Sequence, residues 1–301
     1  MVYDLIIIGA GPAGITASIY AARKRMNFLV ITGDIGGQAA LSGDIENYTG
    51  YQFITGPELA EKFEEHIKKY SIETKENEEV AEVKKDGDKI LVRTQKALYE
   101  SKTAIIASGT RWRNLGIPGE KEFKNRGLTY CATCDGPLFA GKDVAVIGGG
   151  NAGLEATLQL MRIAKHIYLI DIAKELTGDA ILQEKIRESD KVTIFTETGV
   201  LAVLGDKMVS GIRIKENGKE KTLDVQGVFV EIGLMPNSGF AKELDKNKKG
   251  EIKVNVYNET STPGIFAAGD ITDIPEKQII IAAGEGSKAA LSAFRYLARK
   301  K

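Results

Sequence analysis

The two cysteines of this chain stand three positions apart, Cys131-Ala-Thr-Cys134, and Asp135 follows directly. Two thiols at that spacing can close a small, exchangeable disulfide, and surroundings that depress one thiol pKa make its thiolate a nucleophile. They are the only cysteines in 301 residues, so they cannot form a framework that closes long loops. A redox role is the reading they favour. Zinc is the alternative, but it wants four ligands and only His66 and His166 could join the cysteines, so no metal is expected. Asp135 fits two roles equally: relaying a proton to or from a departing thiolate, or shaping the turn before Gly136-Pro137.

Two further groups of residues are spaced for phosphate chemistry: Gly9, Gly11 and Gly14, with Pro12 and Ala13 between them, and Gly148, Gly150 and Gly153, with Asn151 between them. In such a loop the first glycine permits a tight turn. The second lets the backbone approach a pyrophosphate, and the third lets helix and strand pack closely. The helix that follows offers unpaired N–H groups and a partial positive charge to the phosphates. Glycine turns also join strands to helices without binding anything, so either motif alone is weak.

An acid about 20 residues further on usually holds a ribose. The first copy has Thr32-Gly33 there, so hydroxyl and backbone groups must do that work or the ribose is held elsewhere. The second copy has Asp171, whose carboxylate would accept hydrogen bonds from ribose hydroxyls and repel a 2′-phosphate. Ile172, Ala173, Lys174 and Glu175 follow, with no arginine. This predicts NADH over NADPH, with NADPH possible if Lys174 reaches a 2′-phosphate. The plainer alternative is an Asp171 that only caps a strand end.

The elements that must position these groups repeat. Residues 3–8 read as a continuous apolar strand, followed by a glycine turn, a helix over about 15–25 and a strand over 28–31. The same order returns with strand 143–147, a helix to about 164 and strand 167–170. Residues 72–99 alternate around Asp86-Gly87-Asp88 as an antiparallel hairpin layer would. Residues 204–223 do likewise around Asn217-Gly218. Buried strands are expected at 103–109 and 227–233, a segment at 265–270 and a final helix over about 278–297.

One nucleotide domain interrupted by insertion of the other accounts for this order. Crossings are expected near 111–118 and 236–244, two linkers that together make a hinge. Trp112 at that hinge is expected to pack between domains. His66, in a charged amphipathic helix after Pro57, is read as solvated.

The length allows two domains, each able to bury its own core. Lys plus Arg and Asp plus Glu number 41 each, so the charge balance calls for neither nucleic acid nor an anionic membrane. The apolar opening lacks a basic start, is broken by Gly9 and leads into the first glycine motif, unlike a secretion signal. No segment approaches the roughly 20 apolar residues of a membrane span. A soluble, cytoplasmic protein is expected.

The pieces GAGPAG with IYAARK, Gly36-Gly37-Gln38, ENYTG over 46–50, CATCDG, GGGNAGLEA, and AAGDITD with KQIIIAAGEG occur in order from end to end. Together they resemble the low-molecular-weight thioredoxin reductase family. The resemblance implies an α/β fold of two Rossmann-like dinucleotide-binding domains, each a parallel sheet, helices and an antiparallel β layer. The nicotinamide domain (113–242) is inserted into the FAD domain (1–112 and 243–301). It also implies a homodimer. FAD would be held by Gly9 to Gly14, Thr32, Gly36, Gly37, Gln38, Asn47, Gly109, Gly269, Asp270, Lys277, Gln278 and Ile279, with the final helix aimed at the flavin. Cys134 would face the flavin and Cys131 attack the protein substrate, the domain carrying them rotating to do so.

The chain departs from the family at one place. NADPH-specific members usually carry His-Arg-Arg after the second ribose strand, where this chain has Asp171-Ile172-Ala173. The stretch LIDIAKELTGDAILQEKI is similar instead to the flavoprotein of alkyl hydroperoxide reductase, which uses NADH and carries an N-terminal thioredoxin-like region. Here the first glycine motif begins at residue 9, so a separate thioredoxin- or glutaredoxin-like partner is expected. Relatives that accept ferredoxin or a deazaflavin tend to have a degraded second motif, and this one is intact. The expected activity is thioredoxin-disulfide reductase, with electrons passing from NADH through FAD and the Cys131/Cys134 pair. The alternatives are a reductase of a peroxiredoxin or glutaredoxin-like partner, an NADH oxidase, or a redox-sensing flavoprotein without turnover.

Overall fold

The computed structural model describes residues 2–42 and 44–300. Its helices are α1 (Pro12–Arg23), α2 (Gly56–Lys69), α3 (Ala132–Asp135), α4 (Asn151–Leu160), α5 (Ala180–Arg187) and α6 (Ile279–Arg299). The chain divides into two compact units, one formed by residues up to Arg111 and from Met235 onward, the other by Trp112–Leu234. The crossing segments Thr110–Trp112 and Leu234–Pro236 are short strands that pair with each other.

In the discontinuous unit the opening apolar run becomes the strand Val2–Ala10, which pairs in parallel with Phe28–Ile35 and Leu98–Ile106. Thr74–Lys75 and Ile265–Ala267 extend this parallel layer. A parallel strand covered on both sides must be apolar throughout. Accordingly, Leu5 and Ile7 pack against α1 and α6 through Ala17, Ala289 and Ala293. Ile6 and Ile8 pack on the other face against Val83, Ile90 and Val92. Those last residues belong to the hairpin Val80–Asp86 and Lys89–Thr94, which pairs antiparallel onto Leu98–Ile106.

Helix α1 starts at Pro12, earlier than the periodicity predicts, because Gly11 caps it and proline suits the first helical turn. Helix α2 opens on a reciprocal capping box between Thr55 and Glu58. Helix α6 crosses α1 so closely that a Cβ on Gly286 would lie 2.0 Å from the Ala13 carbonyl oxygen.

The contiguous unit repeats the plan. Its parallel strands lie in the order Leu128–Thr129, Gly227–Val230, Asp143–Ile147, His166–Ile170, Val192–Phe195. Val144, Val146, Leu169 and Phe229 pack against α4. Ala145, Ile147, Val228 and Val230 pack on the opposite face with Val203, Ile212 and Ile214 of the antiparallel strands Thr198–Gly205 and Val209–Glu216. Val209–Glu216 pairs in turn with Lys219–Asp224, and the turn between them holds Asn217 at φ 50° and Gly218 at φ 79°. That is the backbone twist for which Asn-Gly hairpins are favoured.

The strand expected over 227–233 ends at Val230, which leaves Glu231 at its carboxyl end. Trp112 stacks on Tyr130 within this unit, ring centroids 5.2 Å apart, with the Lys124 ammonium 4.3 Å from the indole centroid. His66 is exposed on α2 beside Tyr70. Among the described residues no helix is long and apolar enough to cross a membrane.

Candidate redox and dinucleotide-binding sites

Cys131 and Cys134 are joined in a disulfide that spans the single turn α3. Cys131 is the N-cap of that turn, and its Sγ accepts the Cys134 N–H at 3.1 Å. The strand Leu128–Thr129 delivers the chain to this position. Tyr130 is anchored by donating its hydroxyl to Glu120 at 2.8 Å, and burial first, then this contact, raises the phenol pKa.

Thr129 ties the turn together: its hydroxyl donates to the Asp135 carboxylate and accepts the Cys131 N–H at 3.2 Å. Asp135 therefore holds the turn through Thr129, and its own N–H donates to the Cys131 carbonyl at 3.1 Å. Glu231 closes the other side by accepting the Ala132 N–H at 3.1 Å. Its carboxyl is pushed up to about 7, first by burial and further by the charge of Glu155. Sequence reasoning passes over Glu231, although a lone acid inside the apolar run GVFVEIG is the available signal.

In the same unit the glycine loop leaves the strand Asp143–Ile147 at Gly148. That residue has φ 126°, and a Cβ on it would strike the Glu231 carbonyl oxygen at 2.4 Å. A Cβ on Gly153 would strike the Gly148 carbonyl oxygen at 1.8 Å. Asp171 accepts the Gly149 N–H with one oxygen and the Ala173 N–H, at 2.6 Å, with the other. A carboxylate has about four acceptor sites, so ribose hydroxyls remain within its capacity. The Asn151 side chain is engaged by Asp179, whose N–H it accepts at 2.7 Å. Ile172, next to Asp171, is 81% exposed.

The discontinuous unit carries the matching loop. A Cβ on Gly9, at φ 101°, would meet the Ala107 carbonyl oxygen at 2.4 Å, and one on Gly14 the Gly9 carbonyl oxygen at 1.9 Å. Thr32 is buried, accepts the Ala10 N–H at 3.2 Å and donates to the Asp34 carbonyl. Its hydroxyl thus holds the glycine loop, as Asp171 does in the other copy.

The remaining candidates of this unit converge on the same loop. Gly37 stacks over Gly11, where its Cβ would lie 3.3 Å from the Gly11 Cα, and Gln38 donates to Thr110. Gly269, at φ 77°, abuts Ala13. Asn47 donates to Gln278 at 3.2 Å, and Ile279 packs on Ile45, Ile54 and Leu59 at the start of α6. Lys277 forms an ion pair with Glu251 at 3.0 Å, so its charge is partly spent inside the protein. Gly109, at φ 62°, has open space where a Cβ would stand.

The sequence of residues 3–287 matches the family model for pyridine nucleotide-disulphide oxidoreductases. The chain belongs to that family. Among solved structures it is similar to a thioredoxin reductase from Streptococcus pyogenes, with 38% identity, a TM-score of 0.94 and 99% of both chains covered. A thioredoxin reductase from Giardia duodenalis gives the same TM-score at 31% identity, with 98% of this chain and 99% of that one covered. Among curated relatives it is 44% identical to an NADH dehydrogenase of Bacillus subtilis, and 43% identical to an alkyl hydroperoxide reductase component of Staphylococcus aureus. In both comparisons 99% of this chain is covered, but only 59% of the relative's length.

Family membership makes this protein an oxidoreductase flavoprotein with a thioredoxin reductase-like fold, and implies FAD and a nicotinamide nucleotide. The residues present fit two such groups. Gly11 and Gly150 are the loop positions at which the fold itself needs no glycine, with φ of −76° and −83°. A Cβ there would come no nearer than 4.0 Å to Gly36 and 3.8 Å to Thr177. Their missing side chains keep space clear above α1 and α4, whose first turns have no side-chain cap. Asp270 is half-buried, and burial pushes its carboxyl up to about 6 despite nearby Lys277. An acceptor partly withdrawn from water in this way suits a polyhydroxyl ligand.

Proposed function

We propose that the protein is an FAD-dependent disulfide reductase that takes electrons from NADH and passes them through Cys131 and Cys134 to a thioredoxin- or glutaredoxin-like protein. The observation that carries this reading is a disulfide on a helical turn, in a unit that also holds an intact dinucleotide loop with Asp171. FAD, when bound, supplies a two-electron relay between nicotinamide and disulfide. On this reading the discontinuous unit is the FAD domain and the contiguous one the nicotinamide domain. The active form is a homodimer in a reducing, cytoplasmic compartment.

Two electrons and one proton convert the disulfide into one thiol and one thiolate. Cys131 is the sulfur that the fold favours as thiolate, because it caps α3 and accepts the Cys134 amide. Its attack on a partner disulfide forms a mixed disulfide and releases one partner thiolate. Cys134 then attacks the Cys131 sulfur, which restores the internal disulfide and releases the second partner thiol. Thr129 and Asp135 hold Cys131 in position throughout.

Asp171 supports NADH as donor, since a carboxylate at the ribose repels a 2′-phosphate. A second reading, reduction of a peroxiredoxin system, is favoured by the 43% identity to the alkyl hydroperoxide reductase component. The test is anaerobic titration of the FAD-loaded protein with NADH and with NADPH, followed by thioredoxin-, glutaredoxin- and peroxiredoxin-type acceptors. Cys131→Ser should retain flavin bleaching by NADH and lose partner reduction. Full turnover by that variant removes the mechanism, and oxygen consumption that needs no thiol partner supports an oxidase instead.

A further inference from the structure

Glu231 is a half-buried acid that none of the steps above uses. Its backbone is fixed to the dinucleotide loop: its N–H donates to the Ile147 carbonyl at 2.8 Å, and its own carbonyl lies against Gly148. Its side chain reaches the other way, to the Ala132 N–H beside Cys131. One residue thereby joins the dinucleotide loop to the redox turn. The charged group whose field reaches its carboxyl is another acid, Glu155 on α4.

We propose that Glu231 is a positioning residue that couples opening of the Cys131–Cys134 disulfide to uptake of a proton on its own carboxyl. The inference rests on the reading of that pair as the working dithiol. A carboxylate on the Ala132 amide and a thiolate at Cys131 are two anions at one end of a single helical turn. Like charges so placed disfavour each other's ionised forms. When reduction creates the thiolate, Glu231 binds a proton more tightly. The disulfide, the Glu231 carboxylate, two electrons and two protons give one thiol, one thiolate and a neutral carboxylic acid. Without Glu231 the same reduction consumes one proton. The carboxyl titrates near 7 with the disulfide closed, so the extra proton is taken up in the neutral range.

Glu231→Gln keeps the size and the acceptor for the Ala132 amide but cannot titrate. The FAD-loaded wild type and variant are equilibrated with dithiothreitol redox buffers across the pH range, quenched and alkylated, and the cysteine pair alone is counted by mass spectrometry. Above about pH 7 the wild-type potential should fall more steeply than the variant's, by up to one proton per two electrons. Glu155→Gln should move that break to lower pH without abolishing it. Parallel lines for wild type and Glu231→Gln overturn the inference while leaving the reductase reading intact. A pair that no buffer reduces overturns both. If Glu231→Gln does not fold, reduced-minus-oxidised infrared difference spectra of the wild type report the carboxyl directly. A gain of protonated carboxyl on reduction supports the coupling, and an unchanged carboxyl region overturns it.

Discussion

The hydroxyl of Thr32 stands 3.2 Å from the amide nitrogen of Ala10 and accepts its hydrogen. It fills, in the first glycine loop, the place that the Asp171 carboxylate fills at Gly149 in the second. Thr32→Val keeps the shape and leaves the Ala10 N–H buried without that acceptor. A loss of about 1–3 kcal/mol is expected, with weakened flavin retention. Thermal melts and the visible spectrum of purified protein check this, and Thr32→Ser should recover most of both.

Alanine at the glycine positions should separate architecture from ligand space. Gly14→Ala places a Cβ within 1.9 Å of a backbone oxygen, whereas Gly11→Ala meets nothing closer than 4.0 Å. The first substitution should therefore damage folding itself. The second should leave the flavin-free protein as stable as wild type and reduce FAD affinity at least about tenfold, or 1.4 kcal/mol. Gly150→Ala should weaken nicotinamide nucleotide binding likewise while retaining flavin. Calorimetry of the stripped proteins, with and without added ligand, distinguishes these outcomes.

The nicotinamide donor is expected to be set at Asp171 and Ile172. Stopped-flow reduction of the flavin should be faster with NADH than with NADPH. Ile172 is exposed beside the carboxylate, so Ile172→Arg places a guanidinium where a 2′-phosphate would lie. That change should raise the rate with NADPH on the order of tenfold, about the value of one charge-assisted contact. Faster reduction of the wild type by NADPH would refute the assignment.

Glu231 and Asp270 both hold their protons more tightly in the folded chain than in the unfolded one, at about 7 and about 6. For a group raised in this way, the relative stabilisation is complete below the unfolded-state pKa and is lost as pH rises through the folded-state value. Glu231→Gln should thus match wild type near pH 4.5 and become the more stable protein above pH 7. The shift from 4.5 to about 7 corresponds to at most about 3 kcal/mol. Asp270→Asn should show the same crossover about one pH unit lower. Denaturant melts of flavin-free protein at pH 5 and pH 8 test both, and a gap that narrows with rising pH contradicts the assignment.

The parts of the site legible in the sequence are those imposed by local sterics. Gly14 and Gly153 are each required by the carbonyl oxygen of the glycine that opens their own loop, and Gly9 and Gly148 by their own positive φ, so spacing alone reveals them. The hairpin at Asn217-Gly218 is legible for the same reason. Partners distant in sequence are not. Nothing near Asn151 announces that its amide serves Asp179, and nothing near Lys277 announces Glu251. Thr32 reads as a ribose contact because its position matches that of an acid, yet its hydroxyl is engaged by the protein's own backbone. Glu231 is hidden because 227–233 reads as one buried strand, and only the end of that strand at Val230 turns its side chain toward Ala132.

The embrace of α1 by α6 through Gly286 and Ala13 fixes an order of events during synthesis. The unit that begins the chain lacks its last parallel strand and its longest helix until the carboxyl-terminal segment leaves the ribosome. The inserted unit is continuous and emerges whole before then. Since domains fold as units as they become available, the redox unit matures first. Until then Leu5, Ile7 and Ala17 lack the cover that Ala289 and Ala293 of α6 give them in the finished unit.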